Sequence, residues 1–352
     1  MRRQLLWLPL LAIVVVIAWL LPDYTATSES ADVTQCLELL DQPTSPVVGL
    51  FVEPDDSYAP VLDEIDSAQC EINLSIYLLS DQVVMDSLAA AHERGVRVRV
   101  HLEEDPYGGG FSSTEDAVIW LDDHDIDWRY TPDQFIFSHA KYLVIDRQVA
   151  IVMNQNLTSS AFNNNREFGI VTTDPRHVED AVAIFESDWS DQGTSVSSDT
   201  IVTSPENSRL AMIELIAYAT DSIDFYAEVV RDEGFIAALI DAERRGVNVR
   251  LIVNQTSDPL DEKVNRQLIE GGVDIRFGGS LYIHAKAMTF DGDTTFIGSQ
   301  NPTSNSFDNN REVGMIVDDP KVLVRMIDTF ARDWAYAVPI SPEMASPSDI
   351  SY

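Results

Sequence analysis

Phe137-Ser-His139-Ala-Lys141-Tyr-Leu-Val-Ile-Asp146 returns downstream as Tyr282-Ile-His284-Ala-Lys286-Ala-Met-Thr-Phe-Asp291. Both stretches read His-x-Lys, four residues, Asp. Each runs on to an Asn-bearing segment, Met153-Asn154-Gln155-Asn156 in the first copy and Gly298-Ser299-Gln300-Asn301 in the second. Asn164-Asn165-Arg166-Glu167 and Asn309-Asn310-Arg311-Glu312 then repeat in turn. The separations 284 − 139, 312 − 167 and 334 − 189 (Trp to Trp) all equal 145. A repeat this long, free of gaps and keeping His and Lys in register, marks a duplicated half.

The duplication extends upstream. Glu93-Arg94-Gly95-Val96-Arg97-Val98-Arg99 parallels Arg244-Arg245-Gly246-Val247-Asn248-Val249-Arg250. In the first half the patterns predict strands over Val47–Val52, Ile72–Leu79 (alternating) and Val96–Leu102, with helices over Tyr58–Ala68 and Asp81–Arg94 ended by Gly95. The second half repeats that order through helix Leu210–Ala219, strand Ile223–Ala227, helix Gly234–Arg245 and strand Val247–Val253. Strands alternating with helices argue an α/β sheet in each half. The expected organisation is 1–22 signal-anchor or signal peptide, 23–45 polar stalk, 46–189 first half, 190–200 linker, 201–337 second half and 338–352 tail.

On a strand, His139 and Lys141 face one way, as do His284 and Lys286. Gly292-Asp293 and Arg147-Gln148 are expected as two-residue hairpin loops. That register would set Lys286 opposite Ser299 and His284 opposite Asn301, and Lys141 opposite Asn154 and His139 opposite Asn156. Each patch then holds an imidazole, a fixed cation and polar donors. Two patches make a symmetric cradle for a phosphoryl group. One neutral imidazole attacks phosphorus and the other, protonated, serves the leaving oxygen. The lysines stabilise charge on the equatorial oxygens, and Glu167 and Glu312 are placed to orient the rings. Such a site requires no metal or other cofactor, because its cations are built in.

These motifs resemble the phospholipase D superfamily, whose signature His-x-Lys-x4-Asp-x6-Gly-Ser-x-Asn matches His284 to Asn301 in full. The first copy matches at His139, Lys141, Asp146 and Asn156, with Met153 and Asn154 in place of Gly and Ser; an Asn amide can donate where Ser would. The resemblance covers roughly residues 45–336. It implies two similar α/β/α sandwich halves with mixed sheets, related by a pseudo-two-fold axis, with one active site at their interface. It also implies a covalent phosphohistidine, with His139 as nucleophile and His284 as acid and then base. Asp146 and Asp291 are implied to be structural.

Composition bears on the substrate. The formal charge is −35, from 58 acidic and 23 basic residues, and only four of the basic residues are lysines. That excess is self-repelling and becomes tolerable where salt shortens the Debye length to about 3 Å at 1 M, so adaptation to high salt is expected. Two of the four lysines sit in the repeated motif. Arg2 and Arg3 precede an uncharged run, Leu5–Leu21, which predicts a membrane anchor (or a cleaved signal) with the remainder outside the cytoplasm. Cys36 and Cys70 are read either as a disulfide or as two buried thiols.

Nucleic-acid binding leans on basic patches, and near the motifs only Lys141, Lys286, Arg166 and Arg311 are evident. The expectation is a monomeric, membrane-tethered enzyme that hydrolyses or transfers phospholipid headgroups. The alternatives are an extracellular metal-independent nuclease, a cardiolipin-synthase-like transferase, and a non-catalytic binding module. His92, His101, His124 and His177 are read as ordinary histidines, and Gly108-Gly109-Gly110 as a flexible rim loop.

Overall fold

The computed structural model describes residues 24–340 apart from 42, 44, 108–110, 193–197 and 199. The apolar run Leu5–Leu21 and the glycine loop 108–110 lie outside the described residues. Helix α1 (Tyr24–Leu39) forms where the polar stalk is expected, in a short unit of its own, Met1–Asp41. Neither Cys36 nor Cys70 is a free thiol, which excludes the two-thiol reading. Among the described residues no helix is long and apolar enough to cross a membrane.

The other unit holds the duplication. Its first half runs β1 (Val48–Glu53), α2 (Ala59–Ser67), β2 (Glu71–Ile76), α3 (Gln82–Glu93), β3 (Arg97–Leu102), α4 (Phe111–Asp123) and β4 (Asp127–Tyr130). It continues with β5 (Tyr142–Ile145), β6 (Val149–Met153), α5 (Ser159–Asn163), β7 (Asn165–Thr172) and α6 (Pro175–Trp189). The second half opens with β8 (Ile201–Ser204), α7 (Ser208–Tyr218), β9 (Ser222–Ala227), α8 (Glu233–Arg245), β10 (Asn248–Val253), α9 (Pro259–Glu270) and β11 (Asp274–Phe277). Then follow β12 (Tyr282–Ile283), β13 (Lys286–Phe290), β14 (Thr294–Gly298), α10 (Ser304–Asp308), β15 (Glu312–Val317), α11 (Pro320–Tyr336) and β16 (Val338–Pro339).

The strand orders β1-β7-β6-β5-β2-β3-β4 and β8-β15-β14-β13-β9-β10-β11 correspond one to one. Both sheets are mixed: β2 pairs parallel with β3 and antiparallel with β5, as β9 does with β10 and β13. The expected pair of similar α/β halves is what forms. Strand β16 extends the second sheet against β11 where a tail is expected to begin.

Local chemistry explains the boundaries. Asp81 caps α3 by accepting the amides of Val83 and Val84, and Asp232 caps α8 through Phe235. Gly95 and Gly246 follow their helices at φ +92° and +95°, which glycine adopts without a Cβ penalty. Strand β2 keeps the expected alternation, with Ile72, Leu74 and Ile76 on one face, yet every residue of it is buried. It lies at the centre of the sheet with both faces covered, so its alternating polar residues are buried as well, Asn73 accepting from Arg99 Nε at 2.9 Å. One face of the first sheet packs Ile72, Leu74 and Ile145 on its own helices through Leu88 and Leu121. Ile223, Phe225 and Leu239 do the same in the second half. The opposite faces join in one core, where Val52, Tyr142, Val152 and Phe168 meet Tyr226, Ala287, Ile297 and Val313.

The motif hairpins correct the expected register. Ile145 pairs with Val149, and Phe290 with Thr294, so each loop has three residues and the sums are 294 and 584, not 295 and 585. Asp146 and Arg147 both sit at φ 52°, and Gln148 donates to the Ile145 carbonyl at 2.9 Å. This is a type I′ turn followed by one extra residue. Asp291 (φ 51°) and Gly292 (φ 71°) repeat it. Lys141 therefore lies opposite Met153, whose amide donates to its carbonyl at 3.1 Å, instead of opposite Asn154.

The turn aspartates also tie the sheet together. Asp146 accepts the amides of Gln69, Cys70 and Glu71 at 2.7–2.8 Å. Asp291 accepts those of Thr220, Asp221 and Ser222 at 2.8–3.2 Å. Replacing either strands three donors at the start of a central strand. Asp146→Ala should destabilise by about 1–3 kcal/mol, and the more exposed Asp291→Ala by less. Urea unfolding at constant m-value checks both.

Candidate active site

Each motif histidine is delivered by a short main-chain crossing. The Tyr282–Ile283 strand leaves its own sheet and pairs parallel with Asn165 and Arg166 of the first half. In mirror fashion Ser138 bridges Arg311: the Arg311 amide donates to the Phe137 carbonyl at 2.8 Å, and the His139 amide to the Arg311 carbonyl at 2.9 Å. The residue after each arginine is the repeated glutamate. Glu312 Oε2 thus lies 2.9 Å from His139 Nδ1, and Glu167 Oε2 lies 2.9 Å from His284 Nδ1. Each glutamate orients a ring, as expected, but the ring belongs to the other half.

The glutamates are held in their turn. Ser306 Oγ and Asn310 Nδ2 donate to Glu312 Oε1 at 2.7 and 3.2 Å, and Asn165 Nδ2 donates to Glu167 at 3.1 Å. A carboxylate at Nδ1 keeps the proton on that nitrogen and leaves Nε2 facing the pocket. Burial holds the His139 ring below the ordinary histidine range, opposed mainly by the Glu312 carboxylate. Glu53, across the strand pair from Glu167, is pushed up to about 8 by burial, so it stays protonated at neutral pH.

Lys141 and Lys286 are buried, and each donates to the carbonyl of its own motif histidine, at 2.5 and 2.6 Å. Burial pushes Lys141 down to about 7, against the pull of Glu312, and Lys286 adds to the depression. The two motif segments touch across the halves: the Ser299 carbonyl lies 3.1 Å from His139 Nδ1, and Asn154 Nδ2 donates to the Lys286 carbonyl at 3.4 Å.

Asn156 and Asn301 each keep a buried Oδ1 without a hydrogen-bond partner. Ser299 works on the scaffold: its hydroxyl accepts the Val313 amide at 3.1 Å, and its carbonyl lies 3.1 Å from His139 Nδ1. Asn154, in the position of Ser299, accepts the Phe168 amide at 2.6 Å. The two residues do one job, steadying the strand that carries the adjacent glutamate. Asp146 and Asp291 stand outside the pocket, at the turns.

Arg166 and Arg311 are not free cations. Arg166 is paired with Asp333 at 2.8 Å, and Arg311 with Asp188 at 2.5 Å, each across the halves. Two pocket residues escaped the motif reading. Tyr77 lies against His139, ring centroids 4.7 Å apart, and Lys141 Nζ sits 4.8 Å over its ring. Glu228 Oε2 lies 2.5 Å from Lys286 Nζ. The upstream repeat carried the signal: 246 − 95 (Gly to Gly) gives 151, which sets Tyr77 and Glu228 in equivalent positions. Among the other histidines, His101 is packed against Phe185 and Trp189 and pushed down to about 3 by burial.

Comparison with known proteins agrees with this geometry. The family model for the cardiolipin synthase, PLD-like domain matches residues 61–189 and again 212–334. A phospholipase D from Rickettsia conorii is 29% identical over 135 residues, 38% of this chain and 65% of that protein. A cardiolipin synthase from Oceanobacillus iheyensis is 25% identical over 333 residues, 81% of this chain and 68% of that one. The crystal structure of phosphatidylserine synthase from Haemophilus influenzae Rd KW20 shares the fold, with a TM-score of 0.66 at 11% identity over 89% of this chain and 92% of that one. The chain spans about half to two thirds (47–65%) of the length of the curated relatives matched over a single half. With both motif copies covered by the family model, the chain belongs to the phospholipase D superfamily.

Proposed function

We propose that the protein cleaves the phosphodiester bond of a phospholipid through a covalent phosphohistidine. The reading rests on one observation: each motif imidazole is fixed at Nδ1 by a buried carboxylate of the opposite half. His139 Nε2 attacks phosphorus and forms the P–N bond. The P–O bond to the headgroup breaks, and His284 gives the departing oxygen its proton. His284 then takes a proton from the incoming hydroxyl, whose oxygen displaces His139 and restores both rings. Lys141, Lys286 and the Asn156 and Asn301 side chains meet the non-bridging oxygens.

A lipid substrate is favoured by what surrounds the site. The two arginines nearest the motifs are locked in buried ion pairs, and the chain carries a formal charge of −35, so little remains to hold a polyanion. Ile136, three residues before His139, and Tyr282, two before His284, are exposed and offer apolar surface next to the motifs in sequence. The run Leu5–Leu21 behind two arginines supports a tether that keeps the catalytic part outside the cytoplasm and near lipid. Water is the acceptor in the simplest case. An alcohol is favoured by the match to a cardiolipin synthase over 81% of this chain.

Full-length protein in molar salt and EDTA, given phosphatidylglycerol vesicles and single-stranded DNA, should turn over the lipid. His139→Ala or His284→Ala should cost roughly 10²–10⁴-fold. Phosphatidic acid as product marks hydrolysis, and a new diester marks transfer. DNA cut beside untouched lipid would overturn the substrate assignment, and no turnover of either would overturn the enzyme.

A second prediction concerns protons. At pH 8 a lysine of pKa about 7 is mostly neutral, and an anion beside it raises that pKa, so binding draws a proton in. At pH 5.5 Lys141 is already charged and takes up none. Calorimetry of dimethyl phosphate in two buffers of different ionisation enthalpy should show net uptake at pH 8, reduced by Lys141→Met.

A further inference from the structure

The pseudo-symmetry breaks at one place in the cradle. On the first side Lys141 meets the Tyr77 ring, while on the second Lys286 meets a carboxylate, Glu228, at the equivalent position. Glu228 Oε2 also lies 3.7 Å from His284 Nε2 and accepts from Asn301 Nδ2 at 3.2 Å. Tyr282 donates its hydroxyl to Oε1 at 3.3 Å. Lys286, His284 and Asn301 are the second half's contribution to the phosphoryl cradle, so one oxygen of Glu228 already stands where a phosphoryl oxygen would be received. Burial would raise this carboxyl, yet His284 and Lys286 hold it well below the usual range, so it is charged. On its other side it lines a cavity of about 150 Å³ together with Asn254, Thr256 and Tyr282.

The fixed charges then count as follows. With an anion bound Lys141 takes up its proton, so Lys141 and Lys286 supply two positive charges, and Glu167, Glu312 and Glu228 supply three negative ones. With both imidazoles neutral the pocket is negative, and it reaches neutrality when one ring is protonated. A second charge on the ligand has no cation left to meet it, and at these distances an unmatched charge costs on the order of tenfold or more in affinity.

We propose that Glu228 sets the charge selectivity of the site: by neutralising Lys286 it admits singly charged phosphodiesters and excludes doubly charged phosphate monoesters. This deepens the phosphodiester reading and rests on it. Tyr77 leaves Lys141 without a carboxylate at the equivalent position, so the first half carries the attraction and the second carries the filter.

The test is binding of dimethyl phosphate (one charge) and methyl phosphate (about two charges at pH 8) to the full-length protein, measured by calorimetry. The wild type should hold dimethyl phosphate more tightly. Glu228→Gln should tighten methyl phosphate at least about tenfold more than dimethyl phosphate. Equal gains for both would show a steric plug in place of a charge filter, and no gain would remove Glu228 from selectivity; either result overturns the proposal. Glu228→Ala repeats the test if the Gln variant does not unfold cooperatively. A wild type that holds methyl phosphate as tightly as dimethyl phosphate overturns it without any variant. None of these arms needs turnover, so a failure of the catalytic reading stays separate from a failure of this one.

Discussion

A few main-chain hydrogen bonds that cross between the halves set the rest of the structure in place. Where Ser138 and His139 lie along Arg311, and Tyr282 and Ile283 along Asn165 and Arg166, each half lends a short edge to the other's sheet. The crossing carries a histidine into the partner half and sets it beside that half's glutamate. A half on its own would present an imidazole without its carboxylate and a buried carboxylate without its imidazole. Both are costly inside a protein, so the pairing makes the two halves interdependent. Duplication followed by exchange yields one site with two histidines instead of two sites with one.

Charge reinforces the same crossing. The arginine before each glutamate reaches the aspartate before the repeated tryptophan of the other half, Arg166 to Asp333 and Arg311 to Asp188. Tyr226 donates its hydroxyl to Asp333 at 2.8 Å. A buried pair of this kind is weak support for stability as such, but losing one partner leaves an uncompensated charge. That asymmetry fixes the geometry of the halves and spends, on scaffold, the arginines that could otherwise have met a polyanion.

Much of this could be read from residue order alone, for identifiable reasons. His139, Lys141, His284 and Lys286 stand out because lysine is nearly absent elsewhere, and a shared spacing survives only where geometry demands it. The α/β class followed from alternating patterns closed by Gly95 and Gly246. What could not be read was nonlocal. Nothing in the spacing says whether Glu167 serves His139 or His284, because the answer lies in which strand edge Tyr282 joins. The hairpin register differs by one from that expected of a turn at Arg147-Gln148, because the positive φ of Asp146 and Arg147 places the tight turn a residue early. The polar positions of strand β2, Asn73 and Ser75, are buried because its sheet is covered on both faces. Glu228 and Tyr77 lie outside the motif and emerge only when the upstream repeat is aligned at its own separation.

The crossed pairing of rings and carboxylates is the central claim, and it is open to direct observation. Ring-nitrogen NMR spectra of the full-length protein, with His139 and His284 assigned by substitution, report the hydrogen bond at each Nδ1. Glu312→Gln should displace the Nδ1 resonance of His139 and leave that of His284 nearly unmoved, and Glu167→Gln should do the reverse. If each glutamate instead governed the histidine of its own half, the exchange between halves, and the single shared site built on it, would be contradicted.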